Sequence, residues 1–229
     1  MKKLLIIAVF AVFSASTAIA ASLTPIVGVS FNNAAFAGEG NERNNHENGS
    51  VKSTTDEYGA FQDQFASIFL ELEINDLIAI GVDYVPGSIV TPENVSREGV
   101  SGTSGAEAPG RSSVSANFND LTTVYARLNV PMLGGAYIKA GFSQVDVEIK
   151  ETMESGNTYA DVDTEGYIAG IGYNHDLSNN GISVRAEVVA SQFDDVTTNN
   201  GVASTGNRNV VQVESMWGVR GTISVVKSF

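Results

Sequence analysis

Residues 210–229, at the end of the sequence, alternate between two kinds of side chain. Reading back from Phe229, one set of alternate residues is mostly apolar and includes Val225 and Ile223, while the other set is mostly small or polar. Successive side chains of a β-strand point to opposite faces, so this alternation predicts a strand with one apolar face. A strand in the last position must pair along both edges or leave one open. Pairing with the first strand would close the sheet into a barrel.

Earlier segments alternate in the same way. We predict strands at 26–36, 61–74, 77–85, 121–130, 136–149, 166–174, 182–193 and 210–229. The first, third, fifth and seventh connections are long and polar, whereas the second, fourth and sixth are short. Antiparallel neighbours therefore place all long loops at one end and all tight turns at the other, as in membrane barrels. The sequence predicts an all-β fold, an eight-stranded antiparallel up-and-down transmembrane β-barrel with long outer loops and short periplasmic turns.

Two kinds of eight-stranded barrel fit this pattern, and charge distinguishes them. A soluble, lipocalin-like barrel has apolar side chains inside, and a membrane barrel has them outside. The middle of the polar strand faces carries four acidic and four basic residues: Glu71, Glu73, Asp83, Glu187, Arg127, Lys139, Arg185 and Arg220. An unpaired buried charge costs several kcal/mol, so a balanced set favours an interior position. We predict an ionic network that fills a membrane barrel, with the soluble barrel as the alternative.

The fifth predicted strand changes its pattern partway along. Ile138, Ala140 and Phe142 share one parity, but Val145 and Val147 have the opposite one. A β-bulge near Ser143 would explain this switch, because one extra residue reverses the two faces of a strand. Alternatively, the strand has already left the apolar layer at that point.

Aromatic residues cluster toward both ends of the predicted strands. Tyr84, Tyr167 and Trp217 fall toward the long-loop end, and Tyr173 and Phe229 toward the short-turn end. Amphipathic rings prefer membrane–water boundaries, so we predict that these aromatics form two interfacial girdles.

The first residues predict a secretory signal peptide. Lys2 and Lys3 precede an apolar run over 4–13, and the small residues Ala18 and Ala20 suit cleavage after Ala20. We therefore expect a signal peptide at 1–20 and a barrel domain at 21–229. The sequence has no Cys and a formal net charge of −13. The first excludes a disulfide framework, and the second disfavours nucleic acid as a partner.

The chain resembles the small eight-stranded outer-membrane barrels of Gram-negative bacteria, the OmpA/OmpX-like, porin-like proteins. The resemblance covers 26–229 and lies in the signal peptide, the rhythm of strands and loops, the segment 170–174 before a turn, and the final Phe229. It implies an outer-membrane location among lipid and lipopolysaccharide. It also implies that the barrel-assembly machinery reads Phe229 as an assembly signal. Lys227 departs from the family, which usually has an aromatic or apolar residue there.

Catalytic and metal-binding motifs are weak. Small barrels of this type that act on lipids or proteins need a His near a Ser or Asp at the outer rim. His175 falls beside a periplasmic turn, and His46 has no located partner in a polar loop. The acidic pair Asp161 and Asp163 is too short for a calcium loop. We expect no enzymatic activity, cofactor or metal site, but a structural or surface-interaction role through the outer loops. The alternatives are a soluble periplasmic ligand-binding barrel and, third, a lipid-modifying enzyme.

Overall fold

The computed structural model describes residues 23–45, 50–98, 110–152, 158–201 and 208–229. Within these ranges the chain forms one antiparallel sheet of strands β1 (Thr24–Asn45), β2 (Val51–Glu73), β3 (Ile78–Tyr84), β4 (Ile89–Val90), β5 (Asn94–Glu98), β6 (Gly110–Asn129), β7 (Ala136–Thr152), β8 (Val162–Ser178), β9 (Ile182–Phe193), β10 (Val196–Asn199) and β11 (Asn209–Ser228). A short 3-10 helix spans Pro131–Leu133. No helix in the described ranges is long and apolar enough to cross a membrane. The predicted signal peptide and His46 lie outside the described residues.

The strands fill eight positions around a closed barrel, and each position is called a wall here. β3, β4 and β5 pair with successive parts of β6 and together make one interrupted wall. β9 and β10 make another wall in the same way along β11. The barrel closes where β1 pairs with β11, from Ile26 opposite Ser228 to Asn44 opposite Asn209. The predicted eight-stranded up-and-down barrel is confirmed.

Several strands run further into the outer end than the sequence indicated. The first predicted strand stopped at Phe36, but β1 and β2 stay paired from there to Asn45 opposite Val51. A strand can be recognised from its sequence only where its two faces contact different environments, because only then do apolar and polar residues alternate. Residues such as Gly38, Glu39 and Asn41 show no apolar alternation, so this paired segment reads as a polar loop.

The predicted β-bulge near Ser143 is wrong. β7 alternates without interruption, and Tyr137, Ser143 and Val147 all point inward. The irregularity lies on the neighbouring strand β6, between Asn119 and Thr122, where Asp120 has a φ of 54°. What changes along β7 is the chemistry of the interior, from polar to apolar, as the strand leaves the apolar layer. The second of the two sequence interpretations is therefore correct.

The lower half of the barrel, which carries the short turns, has an apolar surface on its outside. Its large exposed side chains include Val29, Phe31, Ile68, Val188 and Ile223, each more than half exposed. The inward faces of the same strands carry Glu71 and Arg185, which are 0% and 3% exposed. A soluble barrel would have the reverse arrangement, so the lipocalin-like alternative is not supported. The apolar belt matches the hydrocarbon of a bilayer.

The barrel interior has two zones along its axis. The lower zone contains the charged side chains and is named the ionic layer, after the eight charged residues predicted above. Above it lies an apolar plug, made of Ala34, Phe65, Val85, Ile89, Leu121 and Val145, with Phe36, Phe61, Phe118 and Phe193 packed against them. The outer part of the barrel is therefore apolar inside, as in a water-soluble protein, whereas the membrane part is polar inside.

The periplasmic turns are short and use residues that suit tight backbone geometry. The side chain of Asn75 accepts hydrogen bonds from the backbone nitrogens of Leu77 and Ile78, both at 2.9 Å. The β6–β7 turn has Gly134 and Gly135 at positive φ values of 51° and 111°. Glycine reaches these conformations without a steric penalty, so the chain reverses within a few residues.

Candidate functional site: the ionic layer and the apolar plug

Glu71 is the centre of the ionic layer. Arg185 donates to both of its carboxylate oxygens, at 2.6 Å from Nη1 and 2.8 Å from Nη2. The Tyr125 hydroxyl donates to Oε1 at 2.8 Å. Arg127 Nε lies 3.4 Å from Oε2, without a hydrogen bond of its own. One buried carboxylate thus faces two guanidinium groups, and the two-pronged Arg185 contact fixes its orientation.

The other charged residues complete the layer in pairs. Lys139 lies 3.2 Å from Glu187, which also accepts a hydrogen bond from the Tyr137 hydroxyl at 2.7 Å. Arg127 reaches Glu73 at 2.9 Å. The contact between Arg220 and Asp83 is longer, at 3.6 Å, and Asp83 Oδ1 has no hydrogen-bond partner. Each of the eight residues singled out in the sequence therefore has an oppositely charged neighbour in the lumen.

Aromatic rings fill the space between these charges. Lys139 Nζ lies 3.8 Å from the centre of the Tyr125 ring, and the Arg185 guanidinium lies 5.3 Å from the Phe69 ring. The Arg127 guanidinium lies 5.4 Å from the Tyr137 ring. A cation over a ring face is favourable, especially where water is excluded. These rings make the layer a packed structure rather than a set of isolated ion pairs.

The rings fit because each lies over a glycine of a neighbouring strand. The three pairs are Phe69 with Gly28, Tyr125 with Gly81 and Tyr137 with Gly172, and a Cβ at any of these glycines would collide with the ring. The sequence alone did not predict this role of the glycines. Each glycine faces its ring across two strands, so the pair can be found only when the register between those strands is known.

Hydroxyl and amide groups line the rest of the polar lumen. Ser30 and Ser224 are 2.9 Å apart, and Thr123 and Ser143 are 2.7 Å apart. Asn32, which is 0% exposed, accepts from Thr222 at 2.8 Å and donates to Ser67 and to the Phe65 carbonyl, both at 3.2 Å. Because these buried polar groups bond to one another across strands, they add wall-to-wall contacts without leaving unpaired donors.

The plug closes the lumen above this layer. The Phe36 and Phe61 rings stack at 5.2 Å between centres, and Phe61 and Phe118 at 6.1 Å. A small cavity of about 20 Å³ lies where the plug meets the ionic layer, with Phe65 and Arg220 among its lining residues. That volume holds about one water molecule.

The aromatic residues predicted to lie at the membrane boundaries, and Phe229, are outside the lumen. Tyr167, Tyr173 and Trp217 are exposed on the outer wall, at 67%, 47% and 54%. Tyr84 is half-buried and donates to Asp120 at 2.8 Å. Phe229 is 72% exposed.

The last residues are attached to the neighbouring strand and turn at the periplasmic end. The Phe229 backbone nitrogen donates to the Pro25 carbonyl at 3.1 Å. Lys227 Nζ lies 5.3 Å from the Phe229 ring and donates to the Asn180 carbonyl. His175 is exposed near the same end, on β8 opposite Val184. These contacts keep the terminal aromatic at the periplasmic edge of the barrel.

No protein-family model matches the chain, and no curated protein matches it. Among solved structures, the outer membrane protein OprG from Pseudomonas aeruginosa is similar, with 10% identity over 90% of this chain and 96% of that chain and a TM-score of 0.54. The outer membrane protease OmpT from Escherichia coli has 10% identity over 89% and 97%, with a TM-score of 0.47. AlkL, an outer membrane protein studied in lipid bilayers, has 11% identity over 89% and 90%, with a TM-score of 0.48.

The similarity to OprG shows a shared fold. It agrees with the closed antiparallel sheet, the apolar outer belt and the charged lumen, which together suit a protein that crosses a membrane with strands. The chain is an integral outer-membrane β-barrel with the fold of the small barrels of that membrane.

Proposed function

We propose that this barrel is a solute-tight, non-enzymatic protein of the outer membrane, with a structural or surface-interaction role through its outer end. The observation that carries the proposal is the filled lumen. Glu71, Arg185 and Lys139 are nearly completely buried in the ionic layer, and the plug packs above them. An eight-stranded barrel is only wide enough for its own side chains. The outer strand ends and loops are therefore the part that meets other molecules.

The proposal includes the surroundings and the biogenesis of the barrel. The apolar belt faces membrane lipid, and we propose that lipopolysaccharide surrounds its outer half. The exposed Phe229 at the end of the last strand supports its recognition by the barrel-assembly machinery, with 1–20 removed as a signal peptide beforehand. The interior charged residues would hold the walls together, and the exposed Tyr167, Tyr173 and Trp217 would anchor the barrel at the membrane boundaries.

A conductance measurement tests solute tightness. The folded full-length mature chain is reconstituted into planar bilayers, and the current is recorded in concentrated potassium chloride. We expect no stepwise conductance, because ions meet paired charges and then a stack of phenylalanine rings. The double variant Phe61→Ala, Phe65→Ala, checked for folding by heat-modifiable gel migration, removes two phenylalanine rings of the plug and should leak more than the wild type. Regular conductance steps from the folded wild type would contradict the proposal.

A further inference from the structure

We propose that the free edge of β2 above the membrane is a docking site for an extended, basic segment of another protein, which would add to the barrel as an extra strand. The β2 edge is defined here as residues Thr54–Phe61. The proposal needs the outer end of the barrel to be accessible. It does not depend on whether the lumen conducts.

β2 is paired unequally on its two sides. On one side β2 pairs with β1 over its whole length, but on the other side it pairs with β3 only from Ile68 to Glu73. Within the described residues, no strand pairs with that second side of β2 beyond Ile68. β4 and β5 pair with β6 instead. The barrel wall is therefore divided at its outer end, between β2 and the β3–β5 wall.

The division has a definite lower limit. The backbone nitrogen of Val90 donates to the side chain of Asp63 at 3.1 Å. A carboxylate thus takes a hydrogen bond that a carbonyl of a paired strand would otherwise accept. Above this contact, every second residue of β2 directs its N–H and C=O groups away from β1, which leaves a row of groups available for another strand.

The β2 edge is both exposed and long. All side chains from Thr54 to Ala60 are exposed on both faces of β2, and Tyr58 is 84% exposed. At about 3.3 Å per residue, eight residues present an edge of roughly 26 Å. Typical strands have about 5–6 residues, so the edge can accept a complete strand. In strand addition the backbone supplies most of the attachment, so an edge of this length is sufficient.

The charge of the β2 edge selects the kind of partner. The edge carries Asp56 and Glu57, and the adjoining part of β1 carries Glu39 and Glu42 against a single described basic side chain, Arg43. The Glu39 carboxylate beside Tyr58, with a smaller effect from Asp56, raises the pKa of the Tyr58 hydroxyl. Two carboxylates therefore lie close enough to Tyr58 to act on its hydroxyl.

The same charges disfavour a second copy of the chain as the occupant. Antiparallel pairing of two β2 edges would bring Asp56 and Glu57 of both copies close together, and like charges on neighbouring strands repel. A segment rich in lysine or arginine would instead neutralise them. The edge therefore fits a basic, extended partner.

The test uses a synthetic peptide in which lysine alternates with valine and threonine, labelled with a fluorophore. Binding to the full chain in nanodiscs is followed by fluorescence anisotropy. We expect saturable binding that weakens by about tenfold or more when alternate peptide nitrogens are methylated, because methylation removes the donors along one edge. A peptide with glutamate in place of lysine should bind at least as poorly. Equal binding of the methylated peptide would overturn strand addition in favour of simple charge attraction.

Two variants with the same charge change locate the site. Asp56→Lys, Glu57→Lys should weaken binding of the lysine peptide by about tenfold or more. The control Asp163→Lys, Asp194→Lys makes the same change on β8 and after β9, on the far wall, and should leave binding unchanged. Equal loss in both variants would show that only the total charge matters, and would contradict a site at β2.

Hydrogen exchange tests whether the edge is free. In the protein alone, half of the amides of the β2 edge should exchange rapidly, and they should become protected when the peptide binds. Protection without peptide would mean that the edge is already paired. If this protection depends on protein concentration, a second copy is the occupant, and if it does not, the chain covers its own edge. Either result would overturn the proposal.

Discussion

Arg185 and Lys150 form the same kind of ion pair in different surroundings. The pair of Arg185 with Glu71 has side-chain exposures of 3% and 0%, whereas Lys150 and Glu148 are 52% and 38% exposed. Removing one partner of a buried pair leaves an uncompensated charge in a medium that solvates it poorly. In an exposed pair, water takes the place of the partner, so little is lost.

Arg185→Met should therefore reduce the stability of the barrel. We expect a loss of about 3–5 kcal/mol in the free energy of unfolding, since Glu71 would keep only the Tyr125 hydrogen bond and the longer contact with Arg127. The measurement is denaturant unfolding in detergent, followed by tryptophan fluorescence. Lys150→Met is the matched control and should leave the midpoint unchanged. If both variants unfold like the wild type, the Arg185 site is not a buried ion pair.

At the scale of the element, neighbouring strands are matched by glycine and aromatic pairs. Gly172 on β8 faces Tyr137 on β7, and the ring covers the glycine backbone. The Tyr137 hydroxyl is fixed by Glu187, and the ring is 1% exposed, so it has no free space to move into. Three strands are thus coupled at one glycine, because β7 contributes the ring, β8 the glycine and β9 the carboxylate that holds the ring.

Gly172→Ala should destabilise the barrel although it adds only one methyl group. The added carbon would collide with the Tyr137 ring, and overpacking of this kind costs about 1–3 kcal/mol. Gly221→Ala is the control, because the nearest atom to a Cβ there is the Asn33 carbonyl oxygen at 3.9 Å. That change should be neutral or stabilise by at most about 1 kcal/mol, since glycine is unfavourable within strands. The same unfolding assay compares the two, and equal midpoints would contradict the packing explanation.

At the scale of the whole molecule, the barrel inverts its polarity along its axis. The apolar belt surrounds the ionic layer, and the apolar plug lies at the level where the outer wall becomes polar. At each level, one surface of the wall is apolar and the other polar. The outside is apolar where lipid surrounds the barrel, and the inside is apolar where water does. Trp217, the one tryptophan of the sequence, lies on the outside of the barrel near this transition. Its fluorescence can therefore measure the depth of the transition in the bilayer.

Trp217 fluorescence should be quenched more by lipids brominated high on the acyl chain than by lipids brominated near its end. The control is the double variant Trp217→Phe, Ile223→Trp, which moves the indole six residues along β11. That step is roughly 20 Å along the strand, enough to approach the bilayer centre in a tilted barrel. The order of quenching should then reverse. Quenching of both positions by aqueous iodide, and by neither lipid, would show that the belt is in water.

Sequence alone determined the wall strands that lie in the membrane and the direction of their charged side chains. Glu71, Arg185 and Lys139 could be assigned to the interior because alternation is a local property, readable wherever the two faces of a strand meet different media. The assignment of Val145 and Val147 failed for the same reason. Their reversed pattern came from a change of surroundings, and a local pattern cannot separate that change from a bulge.

Which groups meet depends on how the strands assemble into the barrel. Glu71 and Arg185 are 114 residues apart in the sequence, and their pairing depends on the register of every strand around the closed sheet. The apolar plug and the rings over Gly28, Gly81 and Gly172 depend on the same closure. The one-sided pairing of β2 also depends on register, since within the described residues β4 and β5 pair with β6 rather than with β2. Register is a relation between distant segments, and no segment carries it by itself.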